Sequence, residues 1–116
     1  MLRIAAGVAM LARCSSTRNN GGVLLSEDDI QAALAHLEGW SGDKHGITRT
    51  VELRSFPDAI SVVDEVALVA EELDHHPDID IRWRTLTFAC STHTEGGVTN
   101  KDLELAQRIN SIISAS

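Results

Sequence analysis

From residue 23 onward the chain switches between two hydrophobic periods, one near 3.6 that marks helix and one of 2 that marks strand. Ser26 is expected to cap a first helix, with Asp29 three residues on as a variant capping box and Leu25 and Ile30 spaced for a hydrophobic staple. Ile30, Ala33, Leu34 and Leu37 form its apolar stripe, and Gly39 is where it should stop. Ser41 to Gly46 reads as a turn. Ile47, Arg49, Val51 and Leu53 then alternate with Thr48, Thr50 and Glu52, the pattern of a strand, with Trp40 to Lys44 as a weaker partner before it. A second helix is expected from Ser55, with Pro57 in its first turn. Ile60, Val62, Val63, Val66, Ala67, Val69, Ala70 and Leu73 cover most of its circumference. Asp58, Ser61, Asp64, Glu65, Glu71 and Glu72 leave only a narrow polar stripe, which suggests contact with another subunit. Pro77 disfavours helical geometry at His76, so this helix should end near there.

Asp78 to Ser91 is extended by pattern but long for one strand, so a tight hairpin is expected near Trp83-Arg84-Thr85, although no Gly or Pro marks it. Glu95-Gly96-Gly97 is a loop. Thr99 caps a last helix, with Asp102 at its third position and Leu103, Ala106, Ile109, Ile112 and Ile113 facing inward. The order is α-β-β-α-β-β-α. Paired strands separated by helices predict an α+β domain, a four-stranded antiparallel sheet with three helices packed on one face.

Residues 1–22 break the pattern. An apolar run from Ile4 to Ala12 leads into Arg13 and a Ser/Thr/Asn/Gly stretch. We expect a disordered or artefactual extension, with a transit peptide as the alternative because the segment holds arginines and serines and no acid. The apolar stretch is short for a secretory signal, and Arg13 sits where a lipoprotein cleavage site needs a small residue. The domain proper is 23–116, long enough to build one core without metal or disulfide staples. With only 3% aromatic residues, that core must be mainly aliphatic.

Charge removes one class of function. The chain stands at −7, and the acid-free first 22 residues contribute Arg3, Arg13 and Arg18, so the remainder is three units more negative still. Such a body repels phosphates, which argues against a nucleic-acid partner. No apolar run is long enough to cross a bilayer. Cys14 falls in the extension and Cys90 inside an apolar strand, so they do not read as a disulfide framework. A reducing compartment follows: the cytoplasm, or an organelle if residues 1–22 are a transit peptide.

The candidate chemistry is imidazole. His36 and His45 fall on a helix surface and in a turn, without company. His75 and His76 sit at the end of the second helix with Glu71, Asp74 and Pro77 around them. Glu71, four residues before His75, should point the same way and hold that imidazole's tautomer, and the helix C-terminus favours the protonated ring. Taken singly, His75-His76-Pro77 merely terminates a helix, His93 is a strand-end polar residue, and Asp102 is a capping residue. Three histidines also raise a zinc site. Against it, adjacent His75 and His76 project in different directions and no His-x-x-x-His pair exists, so no metal is expected.

Taken together the spacing is specific. Glu71, three residues to His75-His76-Pro77, five to Trp83, nine to His93 and eight to Asp102 resembles the signature of the pterin-4a-carbinolamine dehydratases. Leu37-x-x-Trp40 is similar to that family's first helix and tryptophan, and Phe56 opens a similar second helix, so the likeness covers about residues 23–114. Thr94 departs from it, since animal members commonly carry Glu after the histidine. The resemblance implies an α+β fold assembled as a homodimer or homotetramer. It implies removal of water from 4a-hydroxytetrahydropterin to give quinonoid dihydropterin, the recycling step after aromatic amino acid hydroxylation, with no metal and no bound cofactor. By resemblance, Glu71, Asp74, His75, His76, His93 and Asp102 are functional positions, and Asp74, His75, His76, Ser91, Thr92 and His93 match the substrate-contacting segments.

The reaction suits those residue types. Hydroxide leaves C4a only when its oxygen is protonated, while N5 loses a proton, and histidine serves as acid or base near neutral pH. We expect His75 as the principal acid/base oriented by Glu71, His93 as the second proton-transfer or hydroxyl-binding group, and His76 as a pterin-positioning residue; the acid and base roles are exchangeable. The resemblance also implies a second class of function, since animal members act as dimerisation cofactors for a homeodomain transcription factor and dehydratase-like domains are linked to assembly of other enzymes. A pure scaffold has no need of Glu71 and three histidines.

Overall fold

The computed structural model describes residues 23–116. The readings of residues 1–22, as extension or transit peptide, and of Cys14 lie outside that range. The elements are α1 (Glu27–Leu34), β1 (Trp40–Asp43), β2 (Gly46–Glu52), α2 (Phe56–Leu73), β3 (Asp78–Arg82), β4 (Thr85–Cys90), a 3₁₀ turn (His93–Glu95) and α3 (Asn100–Ala115). The sheet is wholly antiparallel in the order β1-β2-β4-β3. The second hairpin thus inserts its later strand beside β2 and leaves β3 at the edge.

One core lies between the sheet and the helices. Ile47, Leu86, Phe88 and Cys90 from the strands meet Ile30 of α1, Val62 and Val66 of α2, and Leu105 and Ile109 of α3, all buried. Burying each of the larger apolar side chains contributes roughly 1.5–3 kcal/mol. The opposite sheet face carries Thr48, Thr50 and Thr87, with Thr50 and Thr87 hydroxyls 3.0 Å apart across the pair. The alternation predicted for β2 therefore holds, with Ile47 and Leu53 inward and Thr48, Thr50 and Glu52 outward. Among the described residues no helix is long and apolar enough to cross a membrane.

Four local differences from the sequence pattern have physical causes. Helix α1 stops at Leu34 rather than near Gly39. Its last carbonyls are taken up by tighter i→i+3 bonds, from His36 N–H to Ala33 and from Leu37 N–H to Leu34. Leu37 and Trp40 are buried nonetheless. Helix α2 buries one stripe, Ala59, Val62, Val66 and Ala70, rather than most of its circumference; Ala67 is exposed and Leu68 is 72% exposed. On α3 the buried apolar residues are Leu105, Ala106 and Ile109, with Leu103, Ile112 and Ile113 at the margin. The β3–β4 hairpin closes on Trp83-Arg84 as expected, but Trp83 itself adopts the left-handed conformation that glycine would usually supply (φ 57°). Its ring is 68% exposed and lies under the Arg84 guanidinium, 4.8 Å from the ring centroid.

Helix α3 is tied down at both ends. Near its C-terminal half, Asn110 Oδ1 accepts from Trp40 Nε1 (2.8 Å) and from Arg49. At its start Thr99 is the N-cap in a full capping box with Asp102, as the sequence predicts. The loop before α3 is stapled to the β1–β2 turn, where Val98 N–H donates to Lys44 O at 2.9 Å. Gly97 passes so close there that a Cβ on it would lie 2.5 Å from the same Lys44 oxygen.

Candidate active site

The end of α2 decides where the histidines go. The helix does not run on to His75. It stops at Leu73, and Asp74 takes the left-handed conformation (φ 52°) as its cap. His75 N–H then bonds back to Ala70 O at 3.0 Å and Asp74 N–H to Glu71 O at 3.2 Å, the paired closure of a Schellman motif. Asp is one of the few non-glycine residues that tolerate this conformation.

That cap overturns the expectation that Glu71 orients His75. The four-residue spacing brings side chains together only while the helix continues, and the left-handed turn at Asp74 redirects everything after it. His75 faces inward, with Nε2 2.5 Å from Asp102 Oδ1. His76 is the ring that meets Glu71, Nε2 to Oε2 at 2.6 Å.

The two imidazole–carboxylate pairs differ in kind. The His76 and Glu71 side chains are 56% and 76% exposed, a solvated pair worth less than about 1 kcal/mol. The His75 side chain is 11% exposed, and that of Asp102 is wholly buried. Asp102 Oδ2 accepts from Thr92 Oγ1 (2.8 Å) and from the Thr99 backbone N–H (2.9 Å), and Thr92 Oγ1 lies 2.8 Å from Thr99 Oγ1. Helix cap and histidine holder are the same carboxylate.

The remaining predicted positions surround this pair unequally. Thr92 is buried, its hydroxyl in the network with Thr99 and Asp102. Ser91 is half-buried, and Asp74 and His93 are exposed, with His93 opening the 3₁₀ turn one residue after Thr92. Asp102 thus links the loop that carries His93 to His75 through Thr92. Sequence reasoning identified Thr99 only as a cap; its hydroxyl also completes the network, and the capping box was the signal that could have shown it. His36 and His45 are exposed and apart from the cluster.

Beside the network, burial first and then the charges of Asp102 and Asp78 push the Cys90 thiol up to about 12, so it stays neutral and unreactive at ordinary pH. Among the described residues no three or more His, Cys, Asp or Glu side chains form an arrangement that could hold a metal ion. Two small hollows lie elsewhere. One of about 200 Å³ is lined by Val51, Leu53, Arg54 and Ile113 among others, and one of about 170 Å³ by Leu24, Leu25, Lys44, His45 and Gly96. Neither is lined by His75, His76 or His93. A largely buried imidazole backed by a wholly buried carboxylate, with exposed His76 beside it in the chain and exposed His93 one residue from Thr92 of the same network, is equipped to move protons on a small molecule.

Comparison with known proteins matches nearly the whole of the described domain. A family model described as pterin 4 alpha carbinolamine dehydratase matches residues 23–112. A Mycobacteroides abscessus protein, provisionally named pterin-4-alpha-carbinolamine dehydratase, is 53% identical over 90 residues, covering 78% of this chain and 96% of its own. A Mycolicibacterium smegmatis protein with the same provisional name is 52% identical over 91 residues, covering 78% and 97%. Among solved structures, a Brucella melitensis transcriptional coactivator/pterin dehydratase superposes with a TM-score of 0.74 at 34% identity, over 77% of this chain and 97% of that one. A pterin dehydratase-like protein that is a RuBisCO assembly factor in the alpha-carboxysome shares the fold, with a TM-score of 0.54 at 18% identity over 66% and 89%.

Proposed function

Because the chain belongs to the pterin 4 alpha carbinolamine dehydratase family, we propose that it dehydrates 4a-hydroxytetrahydropterin to quinonoid dihydropterin and so serves pterin recycling. The observation that carries this reading is the His75–Asp102 pair, a ring 11% exposed held by a wholly buried carboxylate. In the reaction the C4a–O bond breaks with a proton delivered to the departing oxygen, which leaves as water. N5 gives up its proton, and the N5–C4a double bond forms without net oxidation. His75, oriented by Asp102, is the principal acid/base. His93 is the second proton-transfer or hydroxyl-binding group. His76, braced by Glu71, positions the pterin, and Asp74, Ser91 and Thr92 shape its surroundings.

The test is dehydration of a synthetic 4a-carbinolamine. His75→Ala and His93→Ala are each expected to lower the enzyme-dependent rate by about 10² to 10⁴. Near-parental rates in both variants would overturn the catalytic assignment.

A second reading, a non-enzymatic assembly or transcription cofactor, draws on the exposed Leu68 of α2 and on the dual description of the Brucella melitensis relative. We place the protein as a homodimer or homotetramer in the cytoplasm, acting on a pterin rather than on nucleic acid. The exposed apolar positions on α2, the acidic body and the free buried Cys90 support that placement.

A further inference from the structure

Behind the His75–Asp102 pair, two buried hydroxyls carry directional information that the distances alone leave implicit. Each threonine hydroxyl has one proton to donate, and a carboxylate oxygen only accepts. Thr92 Oγ1 lies 2.8 Å from Asp102 Oδ2, so the Thr92 proton is committed to the carboxylate. The 2.8 Å contact between Thr92 Oγ1 and Thr99 Oγ1 must then be filled by the Thr99 proton. Thr99 Oγ1 in turn accepts the Lys101 backbone N–H at 3.2 Å, in the first turn of α3. Every donor in the chain therefore points one way, from the start of α3 through Thr99 and Thr92 to Asp102. With the Thr99 N–H also on Oδ2 (2.9 Å), that oxygen receives two donors, and Oδ1 is left to accept from His75 Nε2.

We propose that Thr92 and Thr99 are positioning residues that fix His75 as its Nε2–H tautomer, leaving Nδ1 as the atom that exchanges a proton with substrate. The position of the proton on one ring nitrogen is set by the hydrogen bond the other makes or is denied. Among the described residues no protein group is hydrogen-bonded to His75 Nδ1, whereas Nε2 is fully engaged. The consequence for chemistry is definite. A neutral His75 presents a lone pair at Nδ1 and begins a cycle as the base, and its protonated form returns that proton from the same atom. The tautomer assignment stands on the hydrogen-bond geometry alone, and only the exchange with a pterin rests on the dehydratase reading.

The decisive measurement is a long-range proton–nitrogen correlation spectrum of the full chain labelled with nitrogen-15 histidine, at a pH that keeps the ring neutral. The His75 signals are assigned by their loss in His75→Ala. In the parent protein Nε2 is expected to show the protonated pattern and Nδ1 the unprotonated one; the reverse pattern overturns the proposal. Thr92→Val removes the donor to Oδ2 and should allow both tautomers to appear. The same variant should lower kcat about tenfold or more, with KM within about threefold, because a misplaced proton affects the transition state more than binding. Thr92→Ser restores the donor and should recover the single tautomer and most of kcat. A Thr92→Val protein that is folded, keeps the parental nitrogen pattern and keeps parental kcat would show the hydroxyls to be structural only, and would overturn the positioning role. A parent with the Nε2–H pattern but no turnover of the carbinolamine would uphold the tautomer assignment and overturn the dehydratase reading with its proton exchange.

Discussion

Asp102 and Glu71 are both carboxylates on imidazoles, yet replacing each with its amide should give opposite profiles. Asp102→Asn leaves a buried amide among donors that were arranged for an acceptor, and stability should fall by about 1–3 kcal/mol. Because the same change frees the His75 ring, kcat should drop by on the order of 10²-fold or more. Glu71→Gln alters a pair that is more than half exposed on both sides. Stability should change by less than about 1 kcal/mol, with any activity loss mainly in KM. Denaturant midpoints and carbinolamine kinetics on the two variants separate the pairs. If they behave alike, the distinction between a buried and a solvated imidazole is wrong. Cys90 gives a residue-level pH prediction. Its thiol is raised from 9.0 to about 12 in the fold, so between those values the unfolded chain releases a proton that the native state keeps. Stability from this group is complete below about pH 9 and is lost as pH rises toward 12. Cys90→Ala should flatten that alkaline decline in denaturant titrations.

At the scale of elements, the left-handed cap at Asp74 is the feature that sorts the two adjacent histidines to different partners. Asp74→Gly should keep the geometry and raise stability by about 0.5–1 kcal/mol, read as an increase in Tm, because glycine adopts this conformation without steric cost. Asp74→Val should lower stability and loosen the His75–Asp102 contact, since a branched residue resists positive φ. The same cap explains what was and was not legible beforehand. The existence and order of the three α-helices and four strands followed from periodicity, though not the 3₁₀ turn, and Ser55, Ser26 and Thr99 marked helix starts by their chemistry. The Glu71–His75 pairing was misjudged because it assumed that the helix continued through a sequence with no glycine to stop it. The hairpin at Trp83 was legible from strand length, but its left-handed residue was not, because such a residue without a glycine leaves no compositional trace. Asp102 was legible twice, as a cap from local spacing and as a functional position from family resemblance. Only the three-dimensional arrangement shows the two roles to be one.

Across the whole molecule, the helical layer is pinned to the sheet while one side of α2 is left open. Leu68 is 72% exposed, so Leu68→Lys should change folding stability by no more than about 0.5 kcal/mol. If the proposed oligomer uses that side of α2, sedimentation should show the variant shifted to smaller species; an unaltered distribution would move the interface elsewhere. The cluster around Asp102 is rigid by the same logic that leaves Leu68 free, because its buried carboxylate is held at once by His75, Thr92 and Thr99, drawn from three separate segments. The close pass of Gly97 beneath Lys44 extends this rigidity to a residue with no side chain. In a survey of all single substitutions scored by activity, position 97 should be as intolerant as the histidines, and even alanine there should fail. Such a survey would invite a functional label for Gly97, whose side of the Lys44 contact is only to occupy no space.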